Sequence, residues 1–287
     1  MAYTERIGAP TPTSEQVETS FGGPAPEEVP TGPLWVIRDS FTEATRHIRA
    51  VPRNPDLLVF AAIQPVMFVL LFRYVFGGSI TVEGYARYEQ YLLPGIFAQT
   101  VLFGTSFTAV GLAEDLTKGF IDRLRSLPMS QSAVLIGRSV SDLMRNIFTF
   151  VVMFLVAYAV GFRVEGSIAG AIAATLLLLA FSYAFSWIQA FVGLSSGSVE
   201  AANSASFIWM FPLTFVSSAF VDTRSMPGWL EGVANVNPFT VVTNATRALY
   251  NGHSPGSDVW VALAWAVGIT AVFSLLSMRK FNSAASR

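Results

Sequence analysis

Residues 168–192 read IAGAIAATLLLLAFSYAFSWIQAFV, an uncharged apolar run that is longer than the roughly 20 residues a helix needs to cross a bilayer. Five further runs have similar length and hydropathy. The six predicted spans are Leu57–Gly77, Tyr91–Ala113, Leu143–Phe162, Ile168–Val192, Asn203–Val221 and Val259–Met278. A chain in lipid must satisfy its own backbone hydrogen bonds, and these runs are too long and too evenly apolar for barrel strands. The sequence therefore predicts an all-α integral membrane protein with six transmembrane helices.

Composition supports lipid as the solvent of this chain. Of its 287 residues, 52% are apolar and only 13% are charged, and the mean hydropathy is +0.51. The net charge of -1 argues against a nucleic-acid partner, because phosphate binding needs a concentrated excess of Lys and Arg. The chain has no cysteine, which excludes disulfides, thiolate metal sites and thiol catalysis.

The region before the first span has two parts. Residues 1–33 are rich in Pro, Thr, Ser, Gly and Glu and are predicted to form a disordered cytoplasmic tail without a cleaved signal peptide. Residues 34–53 place apolar side chains at alternating spacings of three and four, which predicts an amphipathic helix in the membrane interface. Packing of that helix against a soluble partner is the alternative. The transmembrane domain is predicted to cover residues 54–280 and to leave residues 281–287 as a second cytoplasmic tail.

The distribution of Lys and Arg orients the spans, because positively charged short loops stay on the cytoplasmic side. Basic residues gather before the first span, between the second and third spans, and after the sixth span. The predicted protein is therefore a multi-pass protein of the cell membrane with both termini in the cytoplasm.

Residues 114–142, EDLTKGFIDRLRSLPMSQSAVLIGRSVSD, are more than a connector. Leu116, Phe120, Leu124 and Leu127 keep helical spacing, and charged residues fill the positions between them. Pro128 is expected to end this short helix. The pattern predicts a charged cytoplasmic helix on which a soluble partner can act, although a charge run is also typical of a solvated helix face.

Residues 222–257 form a second unusual segment, on the predicted outer side. The stretch is too apolar for a solvated loop, yet Pro227 and Pro238 interrupt it and no run is long enough to cross the membrane. Short helices that enter the outer leaflet and return explain both properties, provided that their backbone groups face protein. The sequence thus predicts short re-entrant helices before the last span, and a gate on the exit side.

At these two segments the sequence resembles the type-2 ABC transporter permeases, and among them the daunorubicin-resistance-like drug and lipid exporters of actinobacteria. In the cytoplasmic segment the resemblance rests on Gly119, the run Asp122–Arg125, Leu127–Pro128 and Gly137–Arg138. In the outer segment it rests on Met226–Leu230, Asn237–Pro238 and Arg247–Leu249. The resemblance extends over residues 34–280.

The resemblance implies a homodimer or heterodimer of six-helix subunits that export an amphiphilic drug or a lipid-like metabolite. Each subunit is expected to contact a separate cytoplasmic ATPase, because this chain lacks the G-x-x-x-x-G-K-[ST] phosphate-binding loop. ATP and Mg are expected on that partner, and this chain is expected to carry no cofactor and to be catalytically silent by itself.

The resemblance and the two segments together give two sets of candidate site residues. The ATPase-coupling set is Glu114, Asp115, Gly119, Asp122, Arg123, Arg125, Leu127, Pro128 and Arg138. The exit-side set is Pro227, Trp229, Asn237, Pro238 and Arg247. Neither the substrate nor the residues that bind it can be identified from the sequence.

Several alternatives remain at this stage. Gln64, Gln99 and Gln189 lie within apolar spans, where interhelical hydrogen bonding is the first interpretation and lining of a substrate path is the second. His47 and His253 fall on opposite predicted sides of the membrane, so no metal site is expected. A permease for polysaccharide or teichoic-acid chains is the nearest competing function, followed by an ion-coupled secondary transporter and a membrane-embedded enzyme.

Overall fold

The computed structural model describes residues 55–76, 85, 87–119 and 131–283. The predicted N-terminal tail, the interfacial helix, residues 120–130 of the predicted coupling segment and residues 284–287 lie outside the described part of the chain.

The described residues form nine α-helices and no strand, which confirms the all-α prediction. The helices are α1 (Pro55–Leu71), α2 (Tyr88–Gly104), α3 (Ser106–Thr117), α4 (Gln131–Val160), α5 (Ile168–Ser195), α6 (Val199–Phe215), α7 (Gly228–Val236), α8 (Pro238–Tyr250) and α9 (Asp258–Ser283). A π-helix, Phe72–Phe76, follows α1, and a 3₁₀-helix, Thr223–Ser225, precedes α7.

Four helical stretches in the described residues are long and apolar enough to cross a membrane. They are Tyr88–Thr117, Arg138–Val160, Ile168–Ser195 and Asp258–Phe281. The first comprises α2 and α3, which meet at Thr105. Helices α1 and α6 are shorter, at 17 residues each, so the six-span count stays a prediction.

Helix α2 lies at the centre of the bundle. Every residue from Tyr88 to Phe103 is buried, and α2 packs against α1, α4, α5 and α8. By contrast, α4 exposes an apolar stripe at Phe148, Val151, Leu155 and Tyr158, whose spacing of three and four residues places them on one face. An apolar outer surface of this kind is typical of helices whose outer faces contact lipid.

The contact between α3 and α5 depends on a glycine. A Cβ atom built on Gly193 would lie 2.5 Å from the backbone oxygen and 2.9 Å from the Cα of Ala109. Both distances are far shorter than a van der Waals contact. The atoms of Ala109 belong to the backbone, which, unlike a flexible side chain, cannot rotate away. Only glycine at position 193 lets the two helix backbones approach this closely.

Helix α4 begins at Gln131, twelve residues before the predicted start of the third span at Leu143. The hydropathy signal starts late because the charged residues Arg138 and Asp142 precede Leu143, and their ion pairs with Asp115 and Arg145 make them compatible with a packed helix.

The helix in the predicted fifth span is shifted toward the N-terminus relative to the prediction. Helix α6 begins at Val199 and stops at Phe215, six residues before the predicted limit at Val221. Residues 216–221 are not helical, and side chains of the following segment donate hydrogen bonds to the carbonyl groups of Val216 and Ser218. At the C-terminus of the chain the helix is longer than the predicted span, since α9 continues beyond Met278 to Ser283 and into the predicted tail.

Gly193→Ala is expected to lower the thermal unfolding midpoint of the purified protein, because the added methyl group overlaps the backbone of Ala109. Gly268→Ala on α9 is the matched control, since a Cβ there meets no atom within 4 Å. In a helix, Ala is about 1 kcal/mol more favourable than Gly, so the control variant is expected to unfold at the same or a higher temperature. An equal response of the two variants would contradict this account of the α3–α5 contact.

Candidate functional site

A buried ion-pair network joins α3 to α4, with Asp142 at its centre. Arg145 Nη2 lies 2.8 Å from Asp142 Oδ1, and Thr108 on α3 donates a hydrogen bond of 2.5 Å to Asp142 Oδ2. Arg138 Nε lies 3.8 Å from the same Oδ2, and Arg138 Nη1 donates to Asp115 Oδ2 at 2.7 Å. The Asp142 side chain is only 4% exposed. Its charge is therefore compensated by two arginines and a hydroxyl instead of by water.

The local sequence explains how the network assembles. Arg138, Asp142 and Arg145 are spaced by four and three residues, which places them on one face of α4. On the facing helix, a Cβ atom at Gly111 would overlap the Arg138 guanidinium. The absence of a side chain at this position makes room for Arg138 to reach Asp115. Removal of one partner from a buried ion pair typically costs about 3–5 kcal/mol.

The structure brings two of the predicted coupling residues, Asp115 and Arg138, into direct contact. Glu114 lies one residue earlier on α3 and forms an exposed ion pair with Lys118 at 2.5 Å. The hydrogen bond to Glu114 raises the pKa of the Lys118 ammonium. Helix α3 ends at Thr117, and Gly119 follows with φ of +65°, a conformation that favours glycine.

The remaining coupling residues lie outside the described part of the chain: Asp122, Arg123, Arg125, Leu127 and Pro128. The predicted coupling helix itself is thus not tested. Sequence reasoning did not single out Asp142. The signal that could have identified it is the spacing of Arg138, Asp142 and Arg145 along one helix face.

A cavity of about 380 Å³ lies beside this network. Its wall is formed by residues of α1, α2, α3, α4 and α6, among them residues at the end of α2 and at the start of α3. Its lining mixes aromatic and polar side chains, namely Phe68, Phe103, Phe107 and Phe207 with Gln64, Gln99, Thr100, Ser106, Arg145, Asn146, Thr149, Glu200 and Asn203. This volume is within the range of small-molecule pockets, about 300–1,000 Å³.

Two buried nitrogen atoms in the cavity wall, Nε2 of Gln99 and Nε of Arg145, have no hydrogen-bond partner among the described residues. Gln64 also lines the cavity. For Gln189 the structure confirms interhelical bonding, since its amide joins Ser206 at 2.7 Å and the sulfur of Met210 at 2.9 Å across to α6. The three glutamines that looked equivalent in sequence therefore separate into one packing residue and two cavity residues.

In the outer segment, Asn237 links the end of α6 to the start of α8. Its Nδ2 donates to the carbonyl groups of Leu213 and Val216, each at 2.7 Å. Its Oδ1 accepts from the backbone N–H of Phe239 at 2.8 Å, and Pro238 occupies the first turn of α8. Asn237 therefore caps the N-terminus of α8 and the C-terminus of α6.

Arg247 is buried on α8 and holds the non-helical residues that follow α6. It donates to the carbonyl oxygens of Ser218 at 2.7 Å and Tyr91 at 2.8 Å, and to Oδ1 of Asn244 at 2.9 Å. The guanidinium also lies 3.7 Å from the centroid of the Tyr91 ring. A single cation thus joins α2, α8 and residues 218–219, and hydrogen-bond acceptors compensate its burial.

Helix α7 has an exposed apolar stripe. Trp229 is 75% exposed, and Val233 and Val236 follow on the same face. Pro227 immediately precedes the helix as its N-cap residue. Nearby, the hydrogen bonds from Arg224 hold the pKa of Asp222 below its ordinary value. The predicted exit-side residues therefore fall into a buried clasp, Asn237 and Arg247, and an exposed stripe that starts at Trp229.

Within the part of the chain that the structure describes, no group of His, Asp or Glu side chains is arranged to hold a metal ion. The site consists of ion pairs, amides and aromatic rings.

Comparison with known proteins agrees with the helical membrane fold of this chain. The sequence profile of the ABC-2 type transporter family matches residues 41–251. The chain is 31% identical to the daunorubicin resistance ABC transporter permease protein DrrB1 of Streptomyces coeruleorubidus over 96% of both chains.

More distant relatives carry related descriptions. The probable doxorubicin resistance ABC transporter permease protein DrrC of Mycobacterium tuberculosis is 21% identical, over 91% of this chain and 94% of that protein. The probable multidrug ABC transporter permease YbhR of Escherichia coli is 24% identical, over 64% of this chain and 50% of that protein.

The family profile spans most of the helical bundle, including the ion-pair network, the cavity and the Asn237–Arg247 clasp. The apolar helices and the family together indicate a multi-pass membrane protein. The chain therefore belongs to the ABC-2 type transporter family, as a membrane permease subunit of an ABC exporter.

Proposed function

We propose that this permease moves an amphiphilic drug or a lipid-like metabolite out of the cell, with ATP and Mg bound on a separate cytoplasmic ATPase subunit. The observation that carries the proposal is the near full-length similarity to a daunorubicin resistance permease. Catalysis of ATP hydrolysis would belong entirely to the partner, and this chain would supply the path across the membrane. Pairing with a second permease subunit, either a copy of this chain or a related one, completes the proposed complex.

The proposed topology has six spans and both termini in the cytoplasm. Helix α1 and the π-helix after it cover residues 55–76, and α6 covers 17 residues, close to the lower limit of about 17 residues for a span. Together with the four longer stretches they support six crossings. The outer segment with α7 and α8 would then enter the membrane from the outside and return.

We place the input of the ATPase at residues 114–128 and Arg138. In this mechanism, closure of the nucleotide-bound ATPase moves the segment that follows α3, and Asp115 and Arg138 carry the displacement to Asp142. Asp142 holds Arg145, which lines the cavity. A continuous set of ion pairs thus connects the proposed ATPase contact to the proposed substrate site.

We place the exit gate at Pro227, Trp229, Asn237, Pro238 and Arg247. Asn237 and Arg247 tie α8 to the end of α6, and α6 contributes Phe207 to the cavity wall. A displacement of α8 would therefore act on the cavity through α6. The exposed stripe of α7 would face the outer leaflet, where an amphiphile leaves the protein.

The cavity also bears on the competing functions. A permease for polysaccharide or teichoic-acid chains needs a continuous channel, whereas a space of about 380 Å³ suits a molecule of drug size. A proton- or ion-coupled transporter would be expected to function without an ATPase.

Asp142→Asn is expected to uncouple transport from ATP hydrolysis, because the two arginines lose their shared carboxylate. Allosteric coupling energies correspond to factors of about 5–150, so we expect transport per ATP hydrolysed to fall about tenfold. The measurement is uptake of rhodamine 6G into inverted membrane vesicles, with phosphate release recorded in the same sample.

Two further variants separate uncoupling from misfolding. Arg138→Gln is expected to give the same effect from the opposite side of the ion pair, while Asp258→Asn at the start of α9 is expected to leave the ratio unchanged. An unchanged ratio of transport to ATP hydrolysis in both Asp142→Asn and Arg138→Gln, at normal membrane levels, would contradict the proposed route.

Arg247→Met is expected to loosen residues 216–222, because the carbonyl groups of Tyr91 and Ser218 lose their donor and each unpaired buried group costs about 1–3 kcal/mol. Hydrogen–deuterium exchange followed by mass spectrometry should show faster exchange of these residues and of the start of α8. Arg224→Met is the control, since Arg224 is exposed and bonds to Asp222. Equal exchange in the wild type and Arg247→Met would show that Arg247 does not hold this segment.

A further inference from the structure

An open apolar groove of about 340 Å³ lies on the surface of the bundle and shares no lining residue with the cavity. It is formed by α4, by α5, by the end of α8 and by Val164 in the loop between α4 and α5. Phe154 on α4 lies on one side, and Ile168, Ile172 and Leu176 on α5 lie on the other. The groove is therefore separate from the proposed substrate site.

The lining of the groove suits a hydrocarbon chain. Ile168, Ile172 and Leu176 are exposed, and their spacing of four residues places them on one face of α5. They extend for about 12 Å along the helix, which is close to the depth of one leaflet, about half of the 30 Å hydrocarbon core. The two polar side chains of the lining, Thr175 and Tyr250, bond to each other through their hydroxyl groups at 2.9 Å. The groove thus needs no polar ligand along its length.

A fixed cation lies next to this groove. Arg163 directly precedes Val164, and its guanidinium lies 4.0 Å from the centroid of the Tyr158 ring. Tyr158 follows the groove residue Phe154 by one turn of α4, about 6 Å. Nη1 of Arg163 donates to the carbonyl oxygens of Tyr158 at 2.6 Å and Phe162 at 2.7 Å. These contacts hold the guanidinium about one helical turn beyond Phe154.

The positive charge of Arg163 has no carboxylate partner among the described residues. The neighbouring acid, Glu165, instead accepts a hydrogen bond of 2.7 Å from Nε2 of Gln90. Arg163 is exposed, and its Nε and Nη2 donate to no described residue. These two nitrogens form one edge of the guanidinium, and such an edge binds a phosphate group through two parallel hydrogen bonds.

We propose that the groove and Arg163 together bind an anionic phospholipid, with an acyl chain along α5 and the phosphate on the free edge of Arg163. The proposed topology assigns this end of the bundle to the outer leaflet. Tyr158 would then lie at the level where aromatic side chains collect in membrane interfaces. The lipid would be a resident of the protein surface and not the transported molecule. This inference goes beyond the proposed function and takes only the topology from it.

The test uses the full-length permease in detergent and counts bound lipid by native mass spectrometry. The probes are palmitoyl-oleoyl phosphatidylglycerol, which is anionic, and palmitoyl-oleoyl phosphatidylcholine, whose choline cation competes for its own phosphate. The wild type is expected to bind phosphatidylglycerol more tightly. Arg163→Gln is expected to weaken phosphatidylglycerol binding about fivefold, as for a partly exposed ion pair, with a smaller effect on phosphatidylcholine. Arg163→Lys retains the charge and is expected to keep the preference.

The groove is tested by Ile172→Trp, which fills it and is expected to weaken binding of both lipids. Val267→Trp on the exposed face of α9 is the matched control, since Val267 does not line the groove. Arg224→Gln removes a cation that is paired with Asp222 and is expected to change neither affinity.

Three results would each overturn the inference: equal binding of the two lipids by the wild type, an undiminished preference for phosphatidylglycerol in Arg163→Gln, or phosphatidylglycerol binding by Ile172→Trp that equals the wild type. Export of a drug takes no part in these measurements. Such a result would therefore leave the proposed function standing, while loss of ATP-driven export in a separate assay would leave the lipid site standing.

Discussion

Compensation of buried charge is the constraint on which this structure depends. A carboxylate or guanidinium inside an apolar helical bundle is costly unless neighbouring groups replace its water. Asp142 is held between two arginines and the hydroxyl of Thr108, and Arg247 is held by backbone carbonyl groups from two parts of the chain and by the side-chain oxygen of Asn244. Both solutions require particular helices to meet. The ion pairs fix α3 against α4, and the Arg247 bonds fix α8 against α2 and the end of α6.

Each of these two fixed points contacts a helix that lines the cavity. Asp142 contacts Arg145, which lines the cavity, and Asn237 contacts Leu213 at the end of the helix that carries Phe207. The buried charges therefore stabilise the bundle and also hold helices of the cavity wall in place. In the proposed mechanism, a movement at either contact changes the shape of the cavity.

Much of the fold could be predicted from the sequence, because long uncharged runs such as residues 168–192 have few structural alternatives in lipid. The errors arose where long-range contacts override local hydropathy. Helix α4 begins at Gln131 because its charged residues are paired across to α3, and α6 stops at Phe215 because Asn237 takes up its last carbonyl groups. Neither partner is visible from a window of neighbouring residues.

In the candidate sites too, some residues could be predicted from the sequence and others could not. Asp115, Arg138, Asn237 and Arg247 could be selected from their motifs, and the structure gives each of them specific partners. Asp142, Glu200 and the different roles of Gln99 and Gln189 depend on which helices face each other, and sequence spacing alone does not determine this.

Whether this permease works with an ATPase on another polypeptide can be tested by gentle purification of the tagged chain from its native membrane and identification of the proteins that co-purify. We expect a stoichiometric subunit with a phosphate-binding loop, whose ATP hydrolysis changes when the permease is present. A well-folded permease that repeatedly purifies without such a subunit, and that transports without ATP, would contradict the account.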